Sequence, residues 1–90
     1  VVTLEAQSLP IARTVLWDAN AAADAVTNYV VRLDTVVIGS PTGTSQPITI
    51  TTLGTHVVTV VAVNLWGTSP PATLTLNVVA PASVANLRLQ

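Results

Sequence analysis

Few side chains in this 90-residue sequence could carry out acid–base chemistry. His56 is its one histidine, and histidine is the residue whose ordinary pKa lies nearest to neutral pH. Serine and aspartate are present, so a Ser–His–Asp arrangement is formally open, but no nucleophile elbow or other local motif accompanies it. We therefore predict that His56 has a structural role at a corner or core edge, and that the chain is not an enzyme.

The acidic residues do not form a recognisable metal site; they are Glu5, Asp18, Asp24 and Asp34. Asp18 and Asp24 flank one loop and could approach a cation, but their spacing matches no calcium loop. The absence of cysteine excludes disulfides and thiolate metal sites. The glycines are too dispersed to cradle a phosphate. We predict no metal and no cofactor, with Asp18 or Asp24 closing an Asx-type turn.

The low charge of the sequence also limits the kinds of partner that the chain could bind. Charged residues make up 8% of the chain, against about 25% in an average soluble domain, and the net charge is −1. The three arginines are scattered, which argues against nucleic acid and against an anionic membrane surface. The apolar runs are too short for membrane insertion. A mean hydropathy of +0.64 with so little charge favours a module held in a larger assembly.

The elements that would position these groups are β-strands. Valine occurs 16 times and threonine 14 times, and both prefer the pleated surface of a sheet. Alternation of apolar and polar residues predicts seven short strands, at 1–5, 13–18, 29–33, 34–38, 48–51, 56–64 and 73–78. The alanine-rich stretch 18–26 is too short for a stable helix, so we expect a loop with at most one helical turn.

Three sequence segments carry a resemblance to a known family. They are V-L-W-D ending at Asp18, Y-V-V-R-L from Tyr29, and L-G-T-H-V-V-T-V-V-A-V-N-L-W-G-T-S from Leu53 to Ser69. With these segments, residues 13–79 resemble the fibronectin type III family. The resemblance implies an all-β, antiparallel, seven-stranded immunoglobulin-like sandwich. It also implies a set of structural residues: Trp17, Tyr29, Val31, Leu53, His56, Val60, Ala62 and Gly67.

His56 is the one departure from that family pattern. Members usually have tyrosine at this position, and the tyrosine hydroxyl bonds back to the connecting loop to fix a corner. A histidine ring nitrogen can donate in its place, or the corner can be looser in this chain. Gly67 follows the longest predicted strand, and we expect it at a turn position with φ > 0.

The two ends of the sequence resemble each other. Residues 1–7 read V-V-T-L-E-A-Q and residues 84–90 read V-A-N-L-R-L-Q, which gives three identities in seven positions. We predict a sandwich at 1–80, followed at 81–90 by a linker and the first strand of a further tandem repeat. The alternative is chance similarity between two β-rich heptads.

Two surfaces are candidates for partner binding. Leu65 and Trp66 lie between the last two predicted strands and form an apolar tip if Trp66 is exposed; otherwise Trp66 folds back over the sandwich edge or packs on a neighbouring module. The second surface is a valine face on adjacent strands, which either binds another subunit or reflects only the β-propensity of valine. Its residues are Val30, Val57, Val61 and Val63.

These observations predict a non-catalytic structural or adhesive module that provides spacing and protein–protein contact. The partners would be other protein subunits or neighbouring repeats of the same chain. The expected context is a multidomain extracellular or virion-surface protein, such as a phage tail, fibre or capsid protein, by analogy with the uses of the resembled family. The alternative is an accessory spacer, or a weak glycan binder through Trp66, in a secreted bacterial polysaccharide-degrading enzyme.

Overall fold

The alternating sequence forms strands through most of the chain. The computed structural model describes residues 1–5, 9–81 and 84–90. Within these ranges the strands are β1 (Val2–Glu5), β2 (Ile11–Leu16), β3 (Asn28–Leu33), β4 (Val36–Gly39), β5 (Ser45–Ile50), β6 (Gly54–Asn64), β7 (Gly67–Thr68) and β8 (Ala72–Val79). Among the described residues, the one helical element is a single 3-10 turn, Ala22–Asp24, inside the loop expected at 18–26.

The strands form two sheets. The larger has the order β1-β8-β6-β3-β4, with the short β7 also paired to β6, and the smaller consists of β2 and β5. All pairs are antiparallel except β1 with β8, which run parallel with Val2 opposite Leu76. The predicted all-β sandwich is confirmed.

The core lies between the two sheets. Its buried cluster takes Ile11, Ile48 and Ile50 from the small sheet. The large sheet contributes residues at alternate positions of its strands, namely Val31, Val58, Leu76 and Val78. Because successive side chains of a strand point to opposite faces, each strand gives every second residue to this layer. The predicted alternation therefore identifies the buried face.

Three details differ from the sequence-based predictions. The second strand is shifted to Ile11–Leu16, so Trp17 lies just beyond it. The backbone N–H of Trp17 donates to the carbonyl of Thr44 at 3.1 Å. An additional two-residue strand, β7, follows the turn that ends β6. Leu53 was predicted to be a core residue, but it is 51% exposed because it lies in the turn between β5 and β6.

The turn between β3 and β4 is strained. Its two central residues, Asp34 and Thr35, have φ of 51° and 74°, while Leu33 and Val36 on either side are paired. Two-residue hairpin turns with positive φ at both positions favour asparagine and glycine, and a β-branched residue is unfavourable there. Something other than local preference must therefore hold this turn.

Thr35→Gly should raise the free energy of unfolding by about 0.5–1 kcal/mol. The left-handed conformation costs a non-glycine residue about 1–2 kcal/mol, and the greater freedom of glycine in the unfolded chain offsets part of the gain. Urea denaturation measures the change. Thr42→Gly is the matched control, because Thr42 is an exposed loop threonine without positive φ and should lose stability instead. Equal effects at both positions would contradict the strain at Thr35.

Candidate functional site

The hairpin between β6 and β7 carries two large apolar side chains that are almost fully exposed. Leu65 and Trp66 form its two-residue connection and are 89% and 91% exposed. The Oδ1 atom of Asn64 accepts a hydrogen bond from the Trp66 N–H at 2.8 Å, and Gly67 leaves the turn at φ 142°. Within the unit itself, the Trp66 ring lies in solvent and does not fold back over the sandwich edge. We call Leu65 and Trp66 the apolar tip.

The apolar tip is fixed to the neighbouring loop. The Nδ2 atom of Asn64 donates to the carbonyl of Asp24 at 2.9 Å. One residue earlier in β6, the carbonyl of Val63 accepts from both the N–H and the hydroxyl of Thr27, at 2.8 and 3.1 Å. The hairpin and the β2–β3 loop therefore form one unit. Such fixed geometry reduces the entropy that a partner would have to remove on binding.

A groove of about 350 Å³ lies beside the apolar tip, and Trp66 forms part of its wall. Its polar lining consists of Asn20, Asp24, Asn64, Thr68 and Ser69. Within it the Nδ2 atom of Asn20 donates to the Asp24 carboxylate at 3.0 Å. A carboxylate can accept several hydrogen bonds at once, so Asp24 keeps capacity for a ligand hydroxyl. We call this surface the polar groove.

A second cavity, of about 420 Å³, opens between β2 and β8. Its wall includes Trp17 and Tyr29, whose rings meet edge to face with centroids 5.3 Å apart. The Trp17 Nε1 is buried and has no hydrogen-bond partner among the described residues. The Tyr29 hydroxyl is satisfied, because it accepts from the Asn20 N–H at 3.2 Å and donates to Asn20 Oδ1 at 3.3 Å. The two rings thus connect the core to the loop that lines the polar groove.

His56 joins two turns at the opposite end of the sandwich. Its Nδ1 lies 2.5 Å from Asp34 Oδ2, and its Nε2 lies 2.9 Å from the carbonyl oxygen of Thr52. These two partners are acceptors, so the protonated ring, which donates from both nitrogens, satisfies both; the Thr52 hydroxyl lies further from Nε2, at 3.3 Å. Asp34 also accepts from the Val57 N–H at 2.8 Å and donates its own N–H to the Val57 carbonyl at 2.9 Å. These contacts hold the strained β3–β4 turn against β6.

The His56–Asp34 pair shifts both pKa values. The hydrogen bond to Asp34, helped by the Thr52 carbonyl, raises the pKa of His56 above its ordinary value of 6.5 despite opposing burial. The same hydrogen bond lowers the pKa of Asp34 below its ordinary value of 3.8, with the Val57 N–H contributing. Both shifts favour a charged His56 beside an ionised Asp34.

A metal-binding constellation is not visible within residues 1–5, 9–81 and 84–90, where no three histidine, cysteine or acidic side chains come together. In the same described ranges, none of the helical structure has the length and apolar character needed to cross a membrane.

Comparison with known proteins identifies the fold. A scan against protein-family models found no match, and a search of curated proteins found no similar sequence. A search of solved structures found "Structures of Clostridium thermocellum CbhA fibronectin(III)-like modules", with a TM-score of 0.65. That match is 18% identical and covers 91% of this chain and 88% of the other. The chain has a fibronectin type III-like fold. The fold expected from residues 13–79 is thereby confirmed.

The corner of this fibronectin type III-like sandwich uses histidine where tyrosine was expected. His56 bonds to the carbonyl of Thr52, four residues upstream, much as a corner tyrosine bonds back to its loop. Asp34 completes the corner and was missed in the sequence. The available signal was an aspartate in a short turn between two predicted strands. Aspartate tolerates positive φ in such turns, but the sequence does not indicate which residue its side chain contacts.

The other predicted structural residues of the fibronectin type III-like sandwich lie at different depths. Tyr29 and Val31 are buried, Val60 and Ala62 are half-buried, and Gly67 is exposed at the expected positive-φ turn. The polar groups that fix the apolar tip, Thr27 and Asn64, were not predicted to act there. Thr27 bonds to the carbonyl of Val63, 36 residues away, and Asn64 bonds to the carbonyl of Asp24, 40 residues away. No local pattern reveals either contact.

The valine face is less accessible than predicted. Val61 is 9% exposed, and Val30, Val57 and Val63 are half-buried. The reason is that β6 is a central strand with β3 and β8 on its two sides, so neighbouring side chains screen its outer face. Val61 is therefore corrected from a surface residue to a buried one. The four valines do not form an open apolar patch comparable to the apolar tip.

Proposed function

We propose that this fibronectin type III-like unit is a non-catalytic spacer and contact module of a secreted multidomain protein, and that the apolar tip binds its protein partner. The observation that carries the proposal is the near-complete exposure of Leu65 and Trp66 on a hairpin that hydrogen bonds hold in place. Aromatic residues with a fixed backbone are typical anchors of protein interfaces.

The context rests on two supports. The structurally similar protein is a bacterial one with several fibronectin(III)-like modules, which favours a module in a bacterial multidomain chain. The low charge of the sequence favours the same setting, because a unit shielded by neighbouring domains needs little surface charge. An extracellular location follows from this proposal. The virion context has no support in the comparisons, so we do not retain it.

A non-catalytic role is further supported by the state of His56. A general base needs a free ring nitrogen facing a substrate, whereas both nitrogens of His56 are bonded within the protein. The proposal therefore assigns His56 to the fold.

Replacement of Trp66 by alanine should leave stability almost unchanged and weaken partner binding at least tenfold. An exposed turn side chain contributes within about 0.5 kcal/mol to folding, whereas a buried aromatic anchor contributes 2 kcal/mol or more to binding. Urea denaturation measures the first quantity. Isothermal titration calorimetry of each variant against the remainder of the parent protein measures the second quantity. The fluorescence of Trp66 in a separate Trp17→Phe variant reports whether the apolar tip is covered on assembly.

Val36→Ala is the matched control, because Val36 is 63% exposed at the opposite end of the sandwich. It should change neither quantity. Protection of Trp66 from a soluble quencher on assembly supports the proposal. A Trp66 that stays fully quenchable in the assembled protein, or a Trp66→Ala variant that binds normally, would exclude the apolar tip as the contact.

Glycan binding is a second candidate function, favoured by the polar groove beside Trp66. Sugar rings stack on exposed aromatic faces while their hydroxyls bond to amide and carboxylate groups. Affinity electrophoresis against soluble plant and bacterial polysaccharides tests it. Retardation that is lost in both Trp66→Ala and Asp24→Ala but kept in Val36→Ala would favour a glycan over a protein partner.

A further inference from the structure

The segment from Val84 to Gln90 exposes three large apolar side chains. Val84, Leu87 and Leu89 are 79%, 87% and 99% exposed. The segment shares three of seven residues with 1–7, and its leucine at position 87 corresponds to Leu4. Leu4 is the residue of β1 that packs against the core cluster. The segment therefore has the apolar residue of an edge strand, and the described residues of its own unit leave that residue exposed.

The edge that β1 occupies on β8 is a small one. Four residues of β1 pair in parallel with Leu76–Val79, and three of the four are exposed. Leu4 is thus the main apolar anchor of the strand. An edge strand with a single half-buried apolar side chain can be replaced by another strand that offers the same backbone pairing and a matching apolar residue.

The segment cannot take this position on its own β8. Four residues separate Val79 from Val84, whereas a parallel strand pair needs a connection of a dozen residues or more. The acceptor must be another copy of the unit. The free segment bends at Asn86, which has φ 56°, and this residue must become extended on pairing.

We propose that Val84–Arg88 of one copy pairs in parallel with β8 of a second copy, in the position of β1. In this register Asn86 takes the place of Thr3 opposite Asn77, and Leu87 enters the site of Leu4. Exchange of this strand links copies head to tail. The proposal concerns a surface away from the apolar tip and does not rest on the function proposed above.

A disulfide trap tests the register directly, because the chain contains no cysteine. Tagged Asn77→Cys protein is mixed at about 1 mM with untagged Asn86→Cys protein, so that the second copy can compete with the tethered β1. After equilibration in a thiol–disulfide buffer, non-reducing gels separate the mixed dimer from either self-paired dimer by size. Mixing Val37→Cys with Asn86→Cys is the control, since Val37 is 51% exposed on the far edge strand.

We expect a mixed dimer several-fold above the control. Adding Leu4→Ala to the Asn77→Cys chain should raise its yield roughly tenfold, because β1 loses its apolar anchor. Adding Leu87→Asp to the Asn86→Cys chain should abolish it, whereas Leu89→Asp, beyond the paired residues, should not. Circular dichroism verifies that each variant is folded. A yield equal to the control, or equal effects of the two aspartates, overturns the proposal.

Discussion

Truncation of Ile50 to alanine should lower the free energy of unfolding by about 2–4 kcal/mol. Ile50 is 1% exposed and stands opposite Ile11 in the two-stranded sheet. That sheet contributes three of the seven side chains in the buried cluster, so each one fills a large part of the layer. A small domain has a total stability of about 5–15 kcal/mol, so this single cavity removes a large share of it.

Urea denaturation followed by the tryptophan signal measures the loss, and an unchanged slope would show that the native state keeps its compactness. Thr49→Ala is the matched control. Thr49 precedes Ile50 in β5 but faces solvent, so its truncation should cost less than about 0.5 kcal/mol. Similar losses at the two positions would mean that the two sheets do not pack on Ile50.

The same alternation explains how much of the fold was predictable. In β3, Tyr29 and Val31 are buried and Val30 is less so, as the period of two requires. This alternation is local information, because the polarity of each residue indicates only which face of its own strand it lies on. It therefore predicts the strands and the inward faces, but it does not state which strands pair.

Features that depend on distant segments were not predictable in this way. The parallel pairing of β1 with β8 joins the two ends of the chain. Burial of Val61 results from neighbouring strands that cover its face, and exposure of Leu53 results from where β5 ends. For the candidate site, the exposed pair Leu65–Trp66 could be proposed from the sequence, whereas the bonds that fix it could not.

The His56 corner links the charge of one side chain to the packing of two turns. A corner tyrosine would contribute a neutral hydroxyl, whereas His56 contributes a ring that bonds to two acceptors only when protonated. The same contacts hold Asp34 in a turn with positive φ. Stability of the sandwich is thereby coupled to pH.

The wild-type chain should lose stability relative to His56→Tyr as pH rises from 6 to 9. The folded-state pKa of His56 is raised above 6.5, so its contribution is fully present below 6.5 and is lost as pH rises through the folded value. The pKa of Asp34 is lowered, so its contribution is present above 3.8 and is lost as pH falls through the folded value. The pair therefore stabilises the fold most between these two ordinary values.

Urea denaturation at a series of pH values measures this difference. We expect a change of about 1 kcal/mol, less than the roughly 1.5–3 kcal/mol of a hydrogen bond to a charged group, because the Asp34 side chain is 45% exposed to solvent. Asp34→Asn keeps the size of the side chain but removes its charge, and should flatten the profile above pH 6. Asp24→Asn, an exposed acid at the other end of the sandwich, should leave the profile unchanged. A wild-type profile parallel to that of His56→Tyr would mean that the corner does not hold a charged histidine.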